Sequence, residues 1–188
     1  NLSGLSVSRI FTINVGYPPP SPVTSVVTVS GATVASGSSR TVTLQAKDAD
    51  GNDLPTGGAT VTFSIASGTS TGTFSSVTDN GNGTYTATFT GVLVGTAATI
   101  SASINGSAVS TALPTITVTP GSISRNTSVI SVGTSTIQSG SATTLTLQAR
   151  DAAGNTITTG GAAIVFSRSG GTSTGTISST TDVGNGTY

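Results

Sequence analysis

Apolar and polar residues alternate with a period of two over several short stretches of the chain. Val42, Leu44 and Ala46 fall on one side of such a stretch, and Thr41, Thr43 and Gln45 on the other. A β-strand sends successive side chains to opposite faces, so this pattern predicts a strand with one buried face. The same alternation appears at Val61, Phe63 and Ile65, at Tyr85, Ala87 and Phe89, and at Ala98, Ile100, Ala102 and Ile104. These residues are the expected core. With Val26 to Val29, a short piece near Thr73 to Val77, and Ala108 to Val118, they make about seven strands, the number in an immunoglobulin-like sandwich. Asp50-Gly51-Asn52, Asn80-Gly81-Asn82-Gly83 and Asn105-Gly106 supply turn chemistry between them. The pattern predicts an all-β chain of tandem immunoglobulin-like β-sandwich modules with antiparallel strands.

The chain also repeats itself. Placing Tyr85 on Tyr188 aligns residues 24–85 with 127–188 without a gap, mostly through identical residues. The same offset sets Thr12-Ile13-Asn14-Val15 on Thr115-Ile116-Thr117-Val118. Residues 1–20 are therefore expected to be the last strand of a preceding module plus a Pro-rich linker, stiffened by Tyr17-Pro18-Pro19-Pro20. Residues 21–119 are expected to form a complete module. Residues 120–188 are expected to be a second module truncated before its last strands, without counterparts of Ala87, Phe89, Ile100, Ala102 and Ile104 to close its core.

Composition narrows the chemistry. Roughly a third of the chain is Ser or Thr, only 6% of residues are charged, and the net charge is zero. The mean hydropathy of +0.22 excludes the weakly apolar, highly charged composition of disordered chains. Thr, Val and Ile favour pleated surfaces, whereas strong helix formers are scarce. No basic stripe is present to neutralise phosphates, so no nucleic-acid partner is expected. With no Cys there are no disulfides or thiolate metal sites, and with no His there is no default switch between pH 5 and 8. No apolar run approaches the roughly 18 residues of a membrane span, so no membrane insertion is expected within this chain, and any leader or anchor is expected outside it.

Asp48, Asp50, Asn52 and Asp53 place oxygen ligands close together, as the opening of a calcium loop does. An EF-hand would need Gly at the sixth position and Glu at the twelfth; here Gly51 comes fourth and there is no Glu. The second copy replaces Asp50 by Ala153 and Asp53 by Thr156. A solvated turn, with Asp48 or Asp151 bonded to its backbone, is the simpler expectation. The abundant hydroxyls lack a His to activate them, and Gly68 to Gly72 lacks the Lys and following helix of a phosphate loop. No catalytic, cofactor-binding or metal-binding residue is assigned, no cofactor is expected, and the protein is expected not to be an enzyme. Asn-x-Ser/Thr at Asn1, Asn82, Asn105, Asn126 and Asn185 would accept glycans only where a suitable transferase exists.

Leu44-Gln45-Ala46-Lys47-Asp48-Ala49-Asp50-Gly51-Asn52 is followed by Gly58-Ala59-Thr60-Val61-Thr62-Phe63, and Thr78-Asp79 by Gly83-Thr84-Tyr85-Thr86-Ala87-Thr88-Phe89. Together with Gly95-Thr96-Ala97-Ala98-Thr99-Ile100-Ser101-Ala102, this run resembles the bacterial immunoglobulin-like domains of group 1, the modules of invasin and intimin adhesins. The resemblance implies an extracellular or cell-surface location and a non-catalytic spacer in a rod-like stalk or fibre. Two alternatives remain: a filament subunit assembled by β-strand donation between chains, and an adhesin module binding a host protein or glycan. The partners implied are neighbouring immunoglobulin-like modules or copies of this chain, and under the adhesin reading a host-surface ligand.

Overall fold

A computed structural model describes residues 16–188; Thr12–Val15 and Asn1 lie outside the described residues. The first ten strands are β1 (Val26–Val29), β2 (Thr33–Ala35), β3 (Ser39–Gln45), β4 (Val61–Ser67), β5 (Gly72–Phe74), β6 (Thr78–Asp79), β7 (Thr84–Gly91), β8 (Ala98–Ile104), β9 (Ser107–Ala108) and β10 (Thr115–Thr119). One sheet runs β1-β3-β7-β5, with β6 also on β7. The other runs β2-β10-β8-β4, with β9 also on β8. The two inner faces enclose Val27, Val34, Leu44, Tyr85, Phe89, Ile100, Ile116 and Val118. This is the all-β immunoglobulin-like sandwich that the alternation predicts.

Ten strands replace about seven because two of the expected strands are divided and β2 is added after β1, and each departure follows from parity. Val27 and Val34 are both buried, yet an odd separation would put them on opposite faces of one straight strand. The chain resolves this by leaving the first sheet after β1 and entering the second as β2, parallel to β10 with Val34 opposite Val118. Val109 and Ile116 pose the same conflict, and the stretch expected as one strand from Ala108 to Val118 divides into β9 and β10 around Pro114. Phe74 and Val77 divide β5 from β6 in the same way.

Two details fix the end of the sandwich where β3 leaves and β7 begins. The Tyr85 hydroxyl, at the bottom of the core, accepts the Ala59 N–H at 3.0 Å. Gly83 has φ +82°, and a Cβ there would lie 1.7 Å from the Leu54 carbonyl oxygen, so only glycine fits before the Thr84-Tyr85 strand start.

Residues 120–188 carry β11 (Val129–Val132) and β12 (Leu145–Gln148), paired antiparallel. Ala149, Ile157 and Tyr188 are buried, with Leu147, Ala162 and Ile164 against them. The Tyr188 hydroxyl accepts the Ala162 N–H at 3.1 Å, as Tyr85 does from Ala59. Other positions differ between the copies. Val27 and Val34 are 3% and 2% exposed, whereas their repeat partners Ile130 and Ile137 are 61% and 47% exposed.

Candidate functional site

The turn after β3 brings together only part of the oxygen-rich cluster. Asp48 Oδ1 accepts the N–H groups of Asp50 and Asn52 at 3.0 and 2.9 Å, and the Asn52 side-chain amide donates to Asp48 Oδ2 at 3.0 Å. A short carboxylate can satisfy the next turn's amides in this way, which is why Asp opens it. The Asn52 side-chain amide, then the backbone N–H groups of the turn, hold the Asp48 carboxyl below its ordinary pKa against the opposing effect of desolvation. Asp53 turns away to pair with Lys47 at 2.6 Å. No described residue hydrogen-bonds the Asp50 carboxylate, and among the described residues no three metal-ligating side chains come together. The carboxylate at the centre of the turn is already engaged by N–H donors rather than open to a cation. Asp50 and Asp53, whose carboxylates bond neither Asp48 nor Asn52, are the two acids replaced in the second copy.

The second copy keeps the internal bonds. Asp151 Oδ1 accepts from Ala153 and Asn155 N–H at 3.0 and 2.9 Å, and Asn155 Nδ2 donates to Asp151 Oδ2 at 2.8 Å. It then does something further. Asn155 Nδ2 also donates to the Val92 carbonyl at 2.8 Å, and Asn155 Oδ1 accepts the Val94 N–H at 3.0 Å. Both donor hydrogens and the acceptor of one amide are thus used, and two of the three bonds cross to the loop after β7. Asp151 Oδ2 accepts the Gly121 N–H at 2.9 Å, tying the turn to the linker that follows β10. A Cβ on Gly121 would come within 2.5 Å of the Ser36 carbonyl, so glycine permits this close passage. The Ser36 hydroxyl donates to the same Val92 carbonyl at 2.8 Å.

An open groove of about 490 Å³ lies at this joint, lined by Ser36, Ser38, Gly91, Val92, Asp151 and Ala153 among others. Burial raises the Asp151 pKa, but the Gly121 N–H and the Asn155 amide and N–H outweigh it, so the carboxyl stays below its ordinary value. The Asp48 turn sits at the opposite end of the first sandwich, since it follows the end of β3 whereas Ser36 to Ser38 precede its start. Near it, Tyr17 and Pro18 to Pro20 flank a cleft of about 250 Å³ bounded by Leu54, Gly57, Tyr85 and Asn105.

The remaining candidates have structural places. Gly68 to Gly72 closes one end of the sandwich, where the buried Ser70 hydroxyl accepts the Val118 N–H at 3.1 Å. Asn82 and Asn185 accept from Thr84 and Thr187 in tight turns, and Asn105 Oδ1 accepts the Thr60 N–H. Sequence reasoning missed the contact of Asn155 with Val92 and Val94 in the loop after β7. The available signal was selective retention: Asp, Gly and Asn of the turn persist in both copies while the other acids do not.

These features define an immunoglobulin-like sandwich module of the bacterial surface-adhesin type. The family described as Invasin, domain 3, matches residues 21–121. That is more than half of the chain, and the chain belongs to this family. Among solved structures, it is similar to the Escherichia coli adhesin FdeC, with 33% identity and a TM-score of 0.54 over 72% of this chain and 43% of that one. It is similar to invasin, a bacterial integrin-binding protein, with 26% identity and a TM-score of 0.55 over 74% and 28%. For the Yersinia pseudotuberculosis adhesin InvE the values are 28% and 0.52, over 74% and 38%. The chain thus spans less than half the length of each. No curated protein sequence matches it.

Proposed function

We propose that this chain is a non-catalytic spacer segment of an extracellular adhesin, in which linked sandwiches form a stiff shaft. Under this reading, residues 1–20 end one module and begin a linker, 21–119 form a complete module, and 120–188 form the first part of another. The observation that carries it is the joint: one Asn155 side chain bonds the loop after β7 twice, while Asp151 holds the linker at Gly121. Each such hydrogen bond contributes about 1 kcal/mol, and several together restrict the angle between neighbours. Surface chemistry supports a spacer as well. Among the described aromatic residues only Tyr17 is strongly exposed, and binding hot spots draw heavily on Trp and Tyr.

Small-angle X-ray scattering of the chain and its Asn155→Ala variant tests the reading. The parent should scatter as one narrow extended population and the variant as a broader one. Identical profiles would remove the joint as a source of stiffness.

A further inference from the structure

We infer that Asn105 is a site of spontaneous covalent modification, at which the Gly106 nitrogen displaces the side-chain amide as ammonia and leaves an isoaspartyl or aspartyl linkage between β8 and β9. The modification is independent of how neighbouring modules are joined. Its chemistry favours an Asn followed by a residue with no side chain over its N–H, and the sequence offers four such pairs: Asn80-Gly81, Asn82-Gly83, Asn105-Gly106 and Asn185-Gly186. The structure separates them.

Three conditions govern the attack. The glycine N–H must be open to a base, the Asn Nδ2 must be free to leave, and the carboxamide must be free to swing onto the backbone nitrogen. Asn80-Gly81 fails the first two, because the Gly81 N–H donates to Asp79 Oδ1 at 2.9 Å and Asn80 Nδ2 donates to Thr84 Oγ1 at 2.9 Å. Asn82-Gly83 fails the first and third. Gly83 is buried, its carbonyl accepts the Ala46 N–H at 2.8 Å, and Asn82 Oδ1 is held by the Thr84 N–H and hydroxyl at 3.1 and 2.6 Å. Asn185-Gly186 fails in the same way: Gly186 is buried, its carbonyl accepts the Ala149 N–H at 2.9 Å, and the Thr187 N–H and hydroxyl both donate to Asn185 Oδ1.

Asn105-Gly106 meets all three conditions. It is the two-residue loop that sets Ile104 opposite Ser107, with φ of +49° and +83°. Both residues are exposed, and a Cβ on Gly106 would meet nothing within 4 Å. Among the described residues, neither the Gly106 N–H nor Asn105 Nδ2 has a hydrogen-bond partner, and Asn105 Oδ1 accepts one bond, from the Thr60 N–H at 2.9 Å. That donor lies where negative charge develops as the carbonyl carbon is attacked, and so favours the step.

The step balances with water alone. Base removes the Gly106 amide proton, the nitrogen lone pair forms a bond to Asn105 Cγ, and the Cγ–Nδ2 bond breaks as ammonia takes up a proton from solvent. Water then opens the cyclic imide. Opening at Cγ leaves Asp; opening at the backbone carbonyl leaves a main chain routed through the former side chain, longer by a methylene. The longer link no longer fits a two-residue loop, so β9 should come away from β8. Either product also places a negative charge at the cleft that Asn105 lines with Tyr17 and Pro18 to Pro20.

The test is incubation of the whole folded chain at mildly alkaline pH, followed by peptide mapping for the amide-to-acid mass increase and by isoaspartyl-specific methylation. Asn105 should convert first, roughly tenfold or more ahead of Asn80, where attack must first break a hydrogen bond to a carboxylate. In urea the four pairs should convert at similar rates. Asp79→Ala frees the Gly81 N–H and should raise the Asn80 rate severalfold while leaving Asn105 unchanged. The Val109 N–H, which donates to the Ala102 carbonyl at 2.9 Å, should lose exchange protection in step with isoaspartyl formation. Conversion at Asn105 no faster than at Asn80 or Asn82 in the folded chain, or a ranking that persists in urea, overturns the inference.

Discussion

Residues 24–85 and 127–188 are near copies in sequence, yet they occupy two different physical situations. In the first, Leu44 and Val27 are sealed between two sheets; in the second, Leu147 is only partly covered and Ile130 faces solvent. The backbone bonds within the turns, by contrast, are shared: Asp48 Oδ1 accepts two N–H groups of its own turn and Asp151 Oδ1 the matching two. The difference separates what a segment specifies by itself from what it obtains from its neighbours. Turn geometry is local, because donor and acceptor lie within a few residues. Burial is not, because the strands that cover Leu44, β7 and β8 among them, come from farther along the chain.

The largest expected effect breaks the comparison at the core. Leu44→Ala removes a fully buried side chain and should destabilise the first sandwich by about 2–5 kcal/mol. Leu147→Ala, at the matching position, removes a partly covered one and should cost much less. Urea denaturation monitored by circular dichroism, with each variant against the parent, checks the contrast; equal losses would mean that residues 127–188 acquire as complete a core as residues 24–85.

A smaller effect should be shared by the two copies. Gly83 and Gly186 both have positive φ, and a Cβ would lie 1.7 Å from the Leu54 oxygen in one and 2.0 Å from the Ile157 oxygen in the other. Alanine at either should destabilise its own region by more than about 1 kcal/mol. Local amide exchange at Thr84 and Thr187 would report it, since this strain arises within the turn and needs no distant sheet.

Strand alternation made the core of the first sandwich legible, because a half-buried strand leaves its period in the residues themselves. Tyr85, Ala87 and Phe89, or Ile100, Ala102 and Ile104, could be assigned without coordinates. The added strand β2 and the two divided strands were less visible. Val27 and Val34 each read as apolar, but only their joint burial shows that the chain must change sheets between them. The candidate site was legible as chemistry and not as location. Asp48 and Asn52 read correctly as a turn, while the partners of Asn155 are a carbonyl and an N–H of Val92 and Val94, groups every residue carries and no side-chain pattern announces.

The smallest expected effect sharpens the comparison between the two carboxylates. Both Asp48 and Asp151 sit below the ordinary carboxylate pKa, Asp48 chiefly through the Asn52 amide, and Asp151 because its hydrogen bonds, the Gly121 N–H first among them, outweigh burial. A folded-state pKa below the unfolded one contributes stability that is present above the unfolded value, about 3.9 for Asp, and lost as pH falls through the folded one. For Asp48 that contribution belongs to the first sandwich's own turn. For Asp151 part of it belongs to the joint, since Gly121 lies in the linker. The facing stretches, Ser36 to Ser38 and Gly91 to Val94, carry no charge, and the Arg150 guanidinium beside the turn donates to the Gly154 carbonyl at 2.8 Å. The joint should therefore be insensitive to pH from neutrality down to about 4 and loosen below it. The Gly121 amide resonance should shift in that window, and Asp151→Asn should abolish the shift, whereas Asp48→Asn should leave it in place. A Gly121 resonance that moves between pH 5 and 8 would contradict the assignment, because nothing at the joint titrates there.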